Sequence, residues 1–357
     1  MLRFDRRQML KGLSATAGAL AMPAVVTGRA FAQETMAIAV PTGYEDALKA
    51  AVLDDFTVES GISVVTQPLS TGAVAQFQAQ VDTKTYQYHL AFSLGEQANL
   101  QCQDNDLLEP IGVDTPAVAA IADDMKSEYF LGHGVLVHGL AYLEDSFTTP
   151  PTSFAAIWDT EGFPGRRSLR MNVRDAIETA LRADGVAPED VYNVLSTEEG
   201  WQRAYAKLDA IKPEIAVWWD DDPQIEHAFG TGEVDIGTWF HHRVVNFRKV
   251  TGVPLAFDFN QAFYSRMGWA IPKGTPMLEP ARQLIAMATE PERIAKFTEG
   301  FPMAPVQPQV FEHLDPEFAQ SLPTHPDNLS KIFPVDFNFW STDSTTKSER
   351  FRVWLLG

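Results

Sequence analysis

Met36-Ala37-Ile38-Ala39-Val40, Ile62-Ser63-Val64-Val65-Thr66-Gln67-Pro68-Leu69 and Tyr88-His89-Leu90-Ala91-Phe92-Ser93 are short apolar runs of strand length. Between the first two, Tyr44, Leu48, Val52 and Phe56 recur at helical spacing until Glu59-Ser60-Gly61 stops the helix. Between the second and third, a helix is expected from Ala73 to Val81, and Gly95 to Cys102 begins another. Strands alternating with helices in this order form a parallel sheet covered by helices, because a parallel crossover needs a helix-length connection. The fold class is therefore α/β.

Outward from this block the alternation continues. Val135 to Tyr142 reads as a strand leading to Pro150-Pro151-Thr152-Ser153, whose hydroxyls are placed to cap a helix from Phe154 to Trp158. Helices are expected at Arg174 to Ala183, Pro188 to Leu195 and Glu198 to Ile211. The last opens on the capping box Ser196-Thr197-Glu198-Glu199 and presents Trp201, Tyr205, Leu208 and Ile211 on one face. Strands follow at Glu214 to Trp219, Glu233 to Trp239, Pro254 to Phe257 and Met267 to Ile271. Helices near Leu278 to Met287, Pro291 to Thr298 and Thr346 to Leu355 complete the pattern, with Pro302 to Phe339 expected as a surface wrap.

At the amino terminus, Arg6-Arg7 precede an uncharged run from Gly12 to Gly28 that ends in Ala30-Phe31-Ala32. The run is shorter than a bilayer span and is interrupted by Pro23. It resembles a twin-arginine signal peptide, 1–32, cleaved near Ala32 to release a periplasmic protein. Residues 1–32 hold five basic residues and one acidic residue, so the mature chain keeps 23 basic and 46 acidic residues, a net of −23. Such a chain repels phosphate backbones, which argues against nucleic acid as a partner. The same acidity also suits a solvated surface in salty surroundings. The lone Cys102 allows no internal disulfide; its apolar neighbours make it a core residue, with a thiol nucleophile as the alternative.

Catalytic motifs are missing. There is no nucleophile elbow, phosphate loop or helical zinc pair, and Gly230-Thr231-Gly232 leads into a strand rather than a helix. No cofactor or metal is expected, and Asp220-Asp221-Asp222 lacks the glycine and glutamate of a calcium loop. The triplet reads either as the acidic lip of a cleft or as a solvated turn. Aromatics do recur beside polar residues at strand exits: Trp218-Trp219 before the aspartates, Trp239-Phe240 before His241-His242, Phe263-Tyr264 before Arg266, and Phe301 in a tight turn. Ligands of open α/β sheets sit at the carboxyl ends of strands, held by aromatic walls and a few polar groups.

Phe163-Pro164-Gly165-Arg166-Arg167, Arg182-Ala183-Asp184-Gly185-Val186, Ala206-Lys207-Leu208-Asp209, Trp218-Trp219, Gly232-Glu233-Val234 and Trp269-Ala270-Ile271-Pro272-Lys273-Gly274 together resemble the periplasmic solute-binding proteins of the spermidine/putrescine type. The resemblance implies a two-lobed type II binding-protein fold, each lobe a central sheet flanked by helices, joined by two crossover hinge strands. It divides the chain into 33–137 with 259–303, and 138–258 with 304–357. It further implies capture of a small solute by hinge closure and delivery to the membrane permease of an ABC importer, by a monomer without catalytic activity.

The candidate ligand residues on this reading are Tyr44, His133, Asp221, Asp222, Trp239, His241, Tyr264, Arg266, Met267 and Phe301. Tyr44 and Trp239 match aromatic pocket positions of the family, and Phe301 stands where a tyrosine is usual. Met267 replaces the carboxylate that grips a polyamine ammonium. A long dication needs a carboxylate at each end to offset lost hydration, so an amine-bearing or zwitterionic solute is expected, with Arg266 or His241 facing its other end. A small anionic solute and a twin-arginine-exported enzyme are the alternatives.

Overall fold

The computed structural model describes residues 34–70 and 72–357; the expected export segment, 1–32, lies outside them. The three runs that open the sequence are strands β1 (Thr35–Val40), β2 (Ser63–Pro68) and β3 (Leu90–Gly95), with β1 parallel to both neighbours. Between β1 and β2 the helical stretch Glu45–Leu48, Lys49–Leu53 and Asp54–Ser60 buries Leu48, Val52 and Phe56, its middle turn wound as a π-helix. Gly61 ends it in the left-handed region at φ 72°, a conformation that costs glycine little.

The remaining long strands are β4 (Leu131–Leu143), β5 (Arg167–Arg170), β6 (Ile215–Trp219), β7 (Ile236–Phe240) and β8 (Leu255–Pro272). They join one sheet in the order β2-β1-β3-β8-β4-β7-β5-β6, with β5 parallel to β6 and β7. The fold is the expected two-lobed type II arrangement, with β4 and β8 as antiparallel crossover strands. Lobe 1 packs its sheet around Ile38, Phe92 and Leu284, and lobe 2 around Leu169, Ile177 and Leu208.

Several local expectations need correction. Pro254 to Phe257 and Met267 to Ile271 belong to the single strand β8. Its apolar pattern lapses at Asp258–Gln261, where the register against β4 shifts between His138 and Leu140. The helix Ala155–Trp158 has no hydroxyl cap; the Phe154 amide instead donates to Gln261 Oε1 at 2.9 Å. Strand β5 was not foreseen, since two of its four residues are arginines. Arg167 is nonetheless buried, with its Nε donating to the Ile157 carbonyl at 3.0 Å.

The segment expected as a surface wrap also turns inward. Val310, Leu314 and Leu322 pack on Ile294 and Ala295 of the lobe 1 helix Pro291–Gly300, so this stretch sides with lobe 1 rather than with lobe 2. Farther on, Phe333–Pro334 pairs with β8, and Phe337, Trp340 and Phe351 enter the lobe 2 core. The helix Glu198–Ile211 forms where expected and buries Trp201, Tyr205, Leu208 and Ile211, but its cap is Thr197, whose Oγ1 accepts from Gly200 N at 3.1 Å, so the expected capping box lacks its acid at the third position.

Candidate functional site

Strand pairing fixes which side chains share a face, because directly opposed residues of an antiparallel pair point the same way. Gly95 lies opposite Met267, Leu136 opposite Ser265, and His138 opposite both Phe263 and Phe240. Along this face runs a cleft of about 530 Å³ lined by Gly95, Leu136, Ser265, Met267 and Phe240, with Arg170 and Arg174 at one side and Gln97, Ala98 and Gln101 at the other. Gly95, Arg170 and Phe240 are the last residues of β3, β5 and β7. The cleft therefore sits where α/β sheets hold ligands, at strand carboxyl ends between lobes.

Its charge is set at the start of the helix Val173–Ala183, where Asn172 caps by accepting from Asp175 N at 3.3 Å. Arg170 Nη1 lies 2.6 Å from Asp175 Oδ2, and Arg174 Nε 2.8 Å from Asp175 Oδ1. Burial alone would push the Asp175 carboxyl up, but the Arg174 and Arg170 guanidiniums hold it well below the carboxylate range. Two guanidiniums share the Asp175 carboxylate, and burial raises the neighbouring Glu178 to about 7, so positive charge is left in surplus there. Arg170 also stacks over Trp219 and Phe240, 5.2 and 5.0 Å from the ring centres.

A second group of contacts joins the lobes. The Tyr44 and Phe301 rings are 3.9 Å apart, and Phe301 lies 5.2 Å from His242 in the first turn of the helix His241–Thr251. Burial pushes the Tyr44 phenol well above its ordinary value. Asp222 Oδ1 accepts from Trp239 Nε1 at 2.9 Å, while its Oδ2 pairs with Arg243 Nε at 3.1 Å. Among the described residues no three His, Cys, Asp or Glu side chains gather to hold a metal ion.

Of the ten candidate residues, Met267 lines the cleft, Tyr44 and Phe301 stand at the interlobe contact, and Asp222 is held within lobe 2 by Trp239 and Arg243. The others lie elsewhere. Trp239 opposes Gly139, one residue out of phase with Phe240, so it points into the lobe 2 core, stacked on Phe229 at 5.9 Å and fully buried. His241 turns toward Phe257 and Phe259, each 5.3 Å away, in a groove that also holds Val244 and Arg248. Asp221 is a helix cap, accepting from Gln224 N at 3.0 Å. His133 stacks on Phe92 at 4.1 Å within the lobe 1 core. Tyr264 is buried against that core, and Arg266 is neutralised by Glu96 Oε1 at 2.9 Å in a separate groove.

Arg170 and Arg174 were not singled out from the sequence, while Phe240 and His242 were noted only within the aromatic clusters at strand exits and not as ligand residues. The Asn172-Val173-Arg174-Asp175 cap pattern was the available signal for the first two, since it marks a helix start directly after Arg170.

The family model for bacterial extracellular solute-binding proteins matches residues 51–326. A γ-aminobutyric acid-binding protein of Pseudomonas aeruginosa is 36% identical over 215 residues, and the match spans 60% of this chain and 60% of that relative. An ABC transporter substrate-binding protein from Bradyrhizobium japonicum superposes with TM-score 0.81 at 28% identity, over 90% of this chain and 99% of that one. A γ-aminobutyric acid receptor superposes with TM-score 0.78 at 25% identity, over 90% and 98%.

Proposed function

The chain belongs to the family of bacterial extracellular solute-binding proteins, and on that premise we propose that it captures a small zwitterion of the ω-amino acid class, such as γ-aminobutyrate, for the permease of an ABC-type importer. The carrying observation is Arg170, clamped between Trp219 and Phe240 and only half-neutralised by Asp175. A guanidinium held in that way is set to take a carboxylate by charge-assisted hydrogen bonds. On this reading the ammonium end goes to the aromatic pair Tyr44 and Phe301 at the interlobe contact, whose rings lie 3.9 Å apart. Two relatives that carry γ-aminobutyric acid in their names support this class over polyamines. On this reading the mature protein works in the periplasm as a monomer and performs no chemistry.

Calorimetric titration with γ-aminobutyrate tests it. Saturable one-to-one binding is expected, with Arg170→Gln weakening it by about 30-fold, the equivalent of about 2 kcal/mol. The surplus positive charge also favours a second reading, a purely anionic solute. Tighter binding of succinate than of γ-aminobutyrate would select that reading, and tight spermidine binding would overturn both.

A further inference from the structure

Phe240 stands between two buried imidazoles. The His138 ring centre lies 5.2 Å from it and the His242 ring centre 5.8 Å, while Arg170 covers it at 5.0 Å. Both histidines are more than nine-tenths buried. Neither His138 Nδ1 nor His138 Nε2 has a hydrogen-bond partner among the described residues, and neither has His242 Nδ1. A buried polar atom without a partner carries an unmet desolvation cost and calls for an explanation, and one that borders a cleft is open to a ligand.

Strand pairing places His138 on the cleft face. It follows Leu136 by two residues on β4 and opposes Phe240, and both of those side chains line the cleft. His242 stands at the interlobe contact, its ring 5.2 Å from Phe301 and 5.8 Å from the cleft-lining Phe240. Burial keeps both rings neutral, with His138 pushed down to about 4 and His242 well below its ordinary value. A neutral imidazole offers one donor and one acceptor and carries no charge to pair with an ammonium or a carboxylate.

We propose that His138 and His242 read a neutral hydrogen-bonding group on the solute, so that the preferred ligand is an ω-amino acid bearing a hydroxyl or amide between its charged ends. This rests on the zwitterion reading above, in which Arg170 and the Tyr44 side take the two ends. An unsubstituted chain places only methylene groups against the imidazoles and leaves their nitrogens unpaired, which disfavours it.

The test compares γ-aminobutyrate with 4-amino-3-hydroxybutyrate by calorimetry on the mature protein and on His138→Phe and His242→Phe, which keep ring packing and remove the nitrogens. The hydroxylated probe is expected to bind about tenfold more tightly to the unmodified protein. That preference should shrink to near unity in the double variant. If His138→Phe does not fold, His138→Asn, which keeps a donor and an acceptor, should fold and retain part of the preference. Nitrogen-15 shifts of the His138 ring should also move on saturation with the hydroxylated probe. Equal affinities in the unmodified protein, or a preference unaltered by the double variant, would overturn the proposal while leaving the zwitterion reading intact. Binding of neither probe would overturn both.

Discussion

Trp239 and Phe240 are adjacent aromatics with opposite duties. Trp239→Ala opens a cavity beside Phe229 and Phe247 and removes the hydrogen bond to Asp222 Oδ1, so a loss of about 3–5 kcal/mol in folding stability is expected. Phe240→Ala removes a cleft wall that also covers Arg170, so ligand affinity should fall more than stability. Denaturant melts and titrations of the two variants separate these outcomes; equal loss of stability in both would refute the assignment of faces. A related expectation concerns Met267, on the cleft floor opposite Gly95. Met267→Asp would offset the surplus guanidinium, raising spermidine affinity by over tenfold and lowering that for an ω-amino acid. Unchanged affinity for both would place Met267 outside the ligand's reach. The sequence made aromatics at strand exits legible as a class. It did not reveal which of two neighbours faces the cleft, because a one-residue change of phase inverts every side chain and only the pairing partner sets the phase.

At the scale of elements, the helix after β1 and the helix Glu198–Ile211 were readable because spacing and cap agree. Strand β5 was hidden because Arg167 enters the core through hydrogen bonds to carbonyls rather than through apolarity. Strand β8 was broken in the reading by the polar stretch at the crossover, where Gln261 adopts φ +74°. Its side chain holds that bend, accepting from Phe154 N at 2.9 Å and donating from Nε2 to Arg182 O at 3.2 Å. Gln261→Ala keeps the strained backbone and loses both bonds, for an expected cost of about 2 kcal/mol. Gln261→Gly loses the same bonds but relieves the strain, so it should be the milder change. Urea melts that ranked glycine below alanine would show that the bend carries no strain.

For the whole molecule, acid should be destabilising well before the carboxylates titrate. Burial pushes His133 down to about 3, and His138 and His241 to about 4, from an ordinary value of 6.5. Between pH 6.5 and 4 the unfolded chain therefore takes up protons that the folded state refuses, and stability falls as pH drops, by about 2 kcal/mol per histidine by pH 5. Glu178 acts in the opposite sense. Burial raises it to about 7 from 4.5, so its contribution declines as pH rises between those values. One glutamate does not balance three histidines, so melting at pH 5 should lie below melting at pH 7; the reverse order would mean that the imidazoles are protonated when folded.

The buried Cys102 has a practical consequence. Its side chain is wholly enclosed, and burial pushes the thiol up to about 12, so almost none of it is the reactive thiolate at neutral pH. Val58 on lobe 1 and Val250 on lobe 2 are 83% and 74% exposed. Cysteines installed at those two sites accept maleimide dyes while the native one stays dark. On the proposed closure of the lobes around a solute, the two dyes would draw together and report binding with the natural cysteine left in place.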